Sequence, residues 1–169
     1  TATSDTHINL VVETIGCLIE SGLQNVLVIN GHGGNKANLR VALQKLKERY
    51  PDARVYGVCW WDVAGERMEA LKEAGPRGSG HGGETETSMM MAIRPDLVKT
   101  DRLQRDGRRP ESEYGSLVMQ FRRLDEVTER GIMGDPTIAT AEKGERMIQA
   151  MVDSLAEVVG DIQSGRLTA

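Results

Sequence analysis

Aromatic residues are scarce, with one Phe, three Tyr and two Trp among 169 residues, so a core here has to be built from Leu, Ile, Val, Ala and Met. Cysteine is nearly absent. Cys17 and Cys59 both fall inside apolar runs, which excludes a disulfide-framed scaffold or a cysteine zinc knuckle and predicts two small buried thiols in a reducing compartment. No apolar run approaches the roughly 20 residues of a membrane span, and the amino terminus lacks the pattern of a signal peptide. A cytoplasmic protein with no membrane partner is the expectation. A large excess of one charge is missing too: 21 Lys and Arg stand against 25 Asp and Glu, a net −4 with the signs interspersed. That argues against a nucleic-acid surface. Histidine occurs only at positions 7, 32 and 81.

What remains is an ordinary globular composition, 39% hydrophobic and 27% charged, sized for one domain with a real core. Thr3, Ser4 and Asp5 are cap-type residues ahead of Ile8, Val11, Val12, Ile15, Leu18 and Ile19 at helical spacing. Gly22 is placed to stop that helix. Asn25–Asn30 reads as a central parallel strand covered on both faces. Leu39, Leu43, Leu46 and Tyr50 step by four, three and four, a second helix running to Pro51-Asp52. Arg54–Trp60 is the next strand, and this rhythm predicts an α/β fold with a parallel sheet. Beyond Trp61 the pattern predicts a short helix over 63–72, a loop over 75–83, a helix over 84–93 ended by Pro95, and a surface loop over 100–115. A closing helix is expected over 137–162, with Ile138, Ala141, Met147, Met151, Leu155 and Val158 as its apolar stripe.

The chemistry-bearing segments are glycine-rich. Asn30-Gly31-His32-Gly33-Gly34-Asn35 follows a strand, where open α/β sheets collect their ligands. So much glycine around His32 favours a functional role over a packed turn histidine. His81-Gly82-Gly83 leads into Glu84-Thr85-Glu86-Thr87-Ser88 at a helix start. Imidazole and carboxylate are ligands for zinc or manganese, although both glutamates also suit a helix N-terminus as plain acids, and for Glu84 alone that is the preferred expectation. His7, in a first helical turn, is expected to be solvated. Neither glycine loop carries a P-loop ending or a dinucleotide fingerprint, so a phosphate-binding module ranks third among the functions considered. Trp60 and Trp61 end the second strand before Asp62; one is expected in the core, and the other could wall a small planar substrate.

Together these segments resemble the creatininase (creatinine amidohydrolase) family. The resemblance rests on Asn30-Gly31-His32-Gly33-Gly34-Asn35, Trp61-Asp62, His81-Gly82-Gly83 with Glu86-Thr87-Ser88, and Gly134-Asp135-Pro136 leading to Ala139-Thr140-Ala141-Glu142-Lys143-Gly144. Four ordered motifs over nearly the whole chain are far more specific than one glycine loop. The resemblance implies a three-layer α/β/α fold with a mainly parallel sheet. It also implies a metal-dependent amidohydrolase that opens a non-peptide C–N bond of a small cyclic amide or formamide through metal-activated water, often in hexamers. On that footing His32 and Glu86 are metal ligands, His81 is the catalytic proton carrier, and Trp61, Gly33, Gly34, Gly82 and Gly83 border the substrate. Zinc, manganese or iron would suit such ligands.

Two departures from the family pattern carry expectations of their own. Creatininase proper has a tyrosine and a glutamate where this chain has Gly33 and Gly34, which speaks against creatinine itself as substrate. The Glu-x-His pair and bridging Asp that relatives carry upstream have no counterpart here. Three protein ligands are the usual minimum for a catalytic metal. The expectation is therefore a pair of metal ions completed by a separate N-terminal polypeptide, in a homo- or hetero-oligomer. The alternative is a non-catalytic subunit or fragment that keeps the fold without a working metal site.

Overall fold

The computed structural model describes residues 2–75, 80–107 and 118–167. The chain forms two compact units, one from the segment up to Ala64 together with the segment from Asp153, the other from Gly65 to Val152.

In the first unit, helix α1 (Ser4–Glu20) starts where the Thr3 side chain accepts a hydrogen bond from the Thr6 amide. It ends at Gly22, which adopts a left-handed φ of 100°. Strand β1 (Asn25–Asn30) follows, then helix α2 (Lys36–Arg49), then strand β2 (Arg54–Cys59). The strands pair in parallel, with Asn25 opposite Arg54 and Asn30 opposite Cys59. This is the strand–helix–strand unit that the alternating pattern predicts. Ile15, Ile19, Leu46 and Ala53 form the core, with Val11, Val12, Val26, Val28, Tyr50 and Val55 packed against it. Leu46 is wholly buried, and a buried leucine of this kind contributes about 1.5–3 kcal/mol. A hydrogen bond from the Tyr56 hydroxyl to the Leu167 carbonyl, 3.0 Å, ties the chain's last described turn to β2.

Several expectations need correction. Cys59 is buried but Cys17 is exposed, because it stands two positions from Ile15 and Ile19, on the opposite side of α1. β1 is not covered on both faces: Ile29 is 52% exposed, and the sheet among the described residues has two strands. The segment after β2 forms two short helices, α3 (Trp60–Val63) and α4 (Gly65–Glu69), rather than one helix over 63–72.

In the second unit, helix α5 (Glu84–Ile93) matches its predicted span and stops before Pro95. Residues 100–102 form a 3-10 turn. Asp106, expected on a surface loop, is buried; its carboxylate accepts the Glu129 and Arg130 amides at 3.0 and 2.7 Å, and its backbone pairs with Gly134. The expected loop positions 76–79 and 108–115 lie outside the described residues. A one-turn helix α6 (Leu124–Val127) precedes a bend over residues 129–131. The closing helix α7 (Ala141–Gln163), whose residues from Asp153 onward belong to the first unit, begins later than expected, since Pro136–Ile138 is a separate 3-10 turn. Ala141 is exposed, and the buried stripe starts at Gly144 and Met147.

Candidate functional site

In the first unit, β1 and β2 deliver their carboxyl ends side by side, and the predicted residues follow at once. His32 has extended backbone, φ −143° and ψ 131°. Asn30, only 6% exposed, sets that conformation. Its Oδ1 accepts the His32 amide at 3.2 Å, and its Nδ2 donates to the His32 carbonyl at 2.9 Å and to Cys59 Sγ at 3.3 Å. The histidine is thus clamped to β1 and to the neighbouring strand through one side chain. Its imidazole is exposed and folds over Gly34, so that a Cβ there would sit 2.9 Å from Nε2, whereas a Cβ on Gly33 would meet nothing within 4 Å. A glycine at 34 therefore accommodates this position of the ring.

Trp61 is half-buried and meets Trp60 edge to face, with ring centroids 5.5 Å apart. Next to it Asp62 accepts a 2.5 Å hydrogen bond from Lys36 in the first turn of α2. That bond raises the Lys36 pKa above its usual value, against a smaller opposing effect of desolvation. Beside this end of β1 lies a cleft of about 160 Å³, lined by His7, Asn30, Gly31, Asn35 and apolar side chains. His7 is half-buried rather than solvated, and its Nδ1 is buried without a hydrogen-bond partner among the described residues.

In the second unit, the His81 turn runs directly into α5. The His81 carbonyl accepts from the Met133 amide at 2.7 Å, while its imidazole is exposed. Glu86, in the first turn of the helix, folds back so that Oε2 accepts the Gly82 amide at 2.6 Å. The Thr87 hydroxyl donates to the Gly82 carbonyl at 3.2 Å, and the Gly83 amide donates to the Gly80 carbonyl at 3.1 Å. Residues 81, 82, 83 and 86 are thereby brought together in one hydrogen-bonded junction. The Gly82 amide thus holds one oxygen of the Glu86 carboxylate.

Glu84 is not a solvated helix-start acid. It is fully buried. Its carboxylate accepts the Glu73 amide at 3.1 Å, the Ala74 amide at 2.9 Å and the Lys143 ammonium at 2.8 Å. Burial pushes its pKa up, but Lys143 and the two amides outweigh burial and hold it below the ordinary carboxylate value. Desolvation likewise works to lower the Lys143 pKa and is outweighed by Glu84 and Glu73, which raise it. Lys143 also donates to the Ile138 carbonyl at 2.9 Å and lies 3.0 Å from the Glu73 carboxylate.

Among the described residues no cluster of three or more His, Cys, Asp or Glu side chains is assembled to hold a metal. Of the two residues expected to bind metal, His32 offers an exposed imidazole in the first unit and Glu86 a carboxylate bonded through one oxygen in the second, nitrogen and oxygen donors of the kind zinc and manganese accept. Asn30 and Lys143 were not singled out from the sequence as site residues, although both lie within its ordered motifs.

Comparison with known proteins places this architecture. The chain is 38% identical over 130 residues to the mycofactocin precursor peptide peptidase of Mycobacterium ulcerans, an alignment covering 76% of this chain and 45% of that protein. It is 26% identical over 152 residues to the creatinine amidohydrolase of Pseudomonas putida, covering 84% of this chain and 57% of the relative. The chain thus spans about half the length of the curated relatives it matches. A crystal structure from Bacteroides fragilis, provisionally assigned as a creatinine amidohydrolase, superposes with a TM-score of 0.82 at 28% identity, covering 95% of this chain and 62% of that one. Creatininase structures in Zn–Zn and Mn forms share the fold at TM-scores of 0.75 and 0.73. The fold class is accordingly α/β, of the three-layer creatininase kind. The creatinine amidohydrolase profile matches residues 1–159, and with the ordered motifs and the fold in agreement, this chain belongs to the creatininase family.

Proposed function

We propose that this chain is the part of a metal-dependent hydrolase of amide C–N bonds that supplies His32 and Glu86 as metal ligands and His81 as the proton-transferring residue. The observation that carries this proposal is the dedicated support given to the two ligands: Asn30 clamps the His32 backbone, and the Gly82 amide holds one oxygen of Glu86. A hydrogen bond to one carboxylate oxygen helps orient the group toward a metal, and fixing the His32 backbone narrows the positions its ring can take. Zinc, manganese or iron would be held by these residues with further ligands from outside these 169 residues, in a cytoplasmic oligomer of the hexamer type with two ions per site. When bound, the metal supplies an activated water and polarises the amide carbonyl. The chain's own residues do the rest. His81, exposed on a turn fixed by the Met133 amide, carries the proton to the departing nitrogen. Trp61 walls the substrate, and Gly82 and Gly83 let it approach the backbone.

Two substrate classes are in view, a small cyclic amide or formamide and a peptide. The turn at Gly33 and Gly34 favours the larger one, because no side chain at either position occupies the space beside His32. The similarity to mycofactocin precursor peptide peptidases supports the same choice. Measurement of zinc and manganese stoichiometry, with hydrolysis of short peptides and of cyclic amides, tests the proposal on wild type, His32→Ala and Glu86→Ala. Each substitution is expected to lower metal affinity at least tenfold and to abolish hydrolysis. Unchanged metal content and turnover in both variants would leave only a fold-preserving, non-catalytic subunit.

A further inference from the structure

We propose that Glu84 and Lys143 are positioning residues: their buried ion pair fixes the rotation of α5 about its own axis and so aims the Glu86 carboxylate. This rests on the metal-ligand role proposed for Glu86.

The two glutamates lie two residues apart in the first turn of α5, which separates their directions by about 200°. Glu84 faces inward and is fully buried, while Glu86 is partly exposed and reaches back to the Gly82 amide. One helical turn beyond Glu84, on the same face, Ser88 is also fully buried. Both members of this inward stripe are gripped by the segment 138–144. Lys143 bonds Glu84 and the Ile138 carbonyl, and the Thr140 amide donates to Ser88 Oγ at 3.3 Å. Gly144 approaches so closely that a Cβ would lie 2.0 Å from the Ser88 carbonyl oxygen.

The Ala139–Gly144 motif, which no proposed step of the reaction employs, thereby acquires a purpose. It seizes one side of α5 and leaves the opposite side to present Glu86. Apolar packing would fill the same space with little directional preference. A carboxylate accepting from two amides and an ammonium permits one orientation. Turning α5 to release Glu86 from Gly82 would strip Glu84 of donors in a fully buried setting, a costly change.

The test uses these 169 residues within the complete assembly that supplies the remaining metal ligands. Hydrogen exchange at the Gly82 amide reports whether Glu86 is held, and Mn²⁺ titration reports whether it binds. In Lys143→Met, Gly82 exchange is expected to accelerate at least tenfold while β1 and β2 amides stay within twofold, and Mn²⁺ affinity is expected to fall about tenfold. Lys143→Arg should restore part of both. The double variant Glu84→Gln, Lys143→Met removes both charges and leaves no unpaired buried ion, so it keeps the experiment decisive if the single variant does not fold. It should regain thermal stability without regaining Gly82 protection. Wild-type exchange and wild-type Mn²⁺ affinity in the folded variants would overturn the proposal and reduce the pair to a stability element. Equal Mn²⁺ affinity in wild type and Glu86→Ala would instead overturn the metal role beneath it, while the exchange measurement judges positioning separately.

Discussion

Asn30 shows how much of the backbone conformation of the proposed ligand His32 is decided by one neighbouring side chain. Its side chain satisfies both the amide and the carbonyl of His32 and reaches Cys59 on the adjoining strand. Replacing it by alanine strands those backbone groups, and such losses cost about 1–3 kcal/mol each when the group stays buried. Asn30→Ala is therefore expected to lower stability by about 1–3 kcal/mol in urea unfolding. It should also accelerate hydrogen exchange at His32 more than at mid-strand Val28. His32 and Glu86 stand out in the sequence because residue type and glycine context mark them. Asn30 does not, since an asparagine before glycine reads as a turn former. The buried role of Glu84 is hidden in the sequence for a related reason. Acids favour helix starts on dipole grounds alone, and its partner Lys143 lies 59 positions away.

At the scale of elements, the contact between α5 and the start of α7 is the most demanding in the second unit. Gly144 is buried against the Ser88 carbonyl, so any side chain must separate two backbones rather than displace a flexible tip. Gly144→Ala is expected to destabilise by about 1–3 kcal/mol or more through overpacking, despite alanine's better helix propensity. Thermal unfolding checks the sign: propensity alone would make this variant more stable. The two strands, α1 and α5 were legible because periodicity, caps and Pro95 all agree. The beginning of α7 was not. Apolar spacing extends back to Ile138, but Asp135 caps a separate 3-10 turn and the Thr140 hydroxyl accepts from the Lys143 amide at 3.1 Å, which defers the helix to Ala141. The exposed face of β1 is equally hidden, because an unbroken apolar strand carries no mark of which side is covered.

For the molecule as a whole, no helix among the described residues is long and apolar enough to cross a membrane, and the described surface carries exposed charges of both signs beside exposed apolar side chains such as Leu10, Ile93 and Phe121. Acid stability should then depend on the few carboxylates whose folded pKa is displaced. Glu84 is held low in the folded chain, so its stabilising contribution is complete above the unfolded value of about 4.3 and disappears as pH falls through the folded one. Denaturation curves between pH 7 and pH 2 are expected to show wild type well above Glu84→Gln at neutrality. The gap should close in strong acid, and a gap independent of pH would contradict the assignment. Much of the fold could be anticipated because strand, helix and glycine turn follow one another locally. The architecture of the second unit was harder, since its organising contacts join segments distant along the chain.

That separation has a consequence for biosynthesis. Glu84 emerges from the ribosome with its amide partners at 73 and 74 already made, yet its counter-ion follows 59 residues later. At translation rates of about 5–20 residues per second, the nascent carboxylate waits roughly 3–12 s for its ammonium. Until then the junction of His81 and Glu86 has only its local hydrogen bonds to hold it, and chaperones or proteases meet it unlatched.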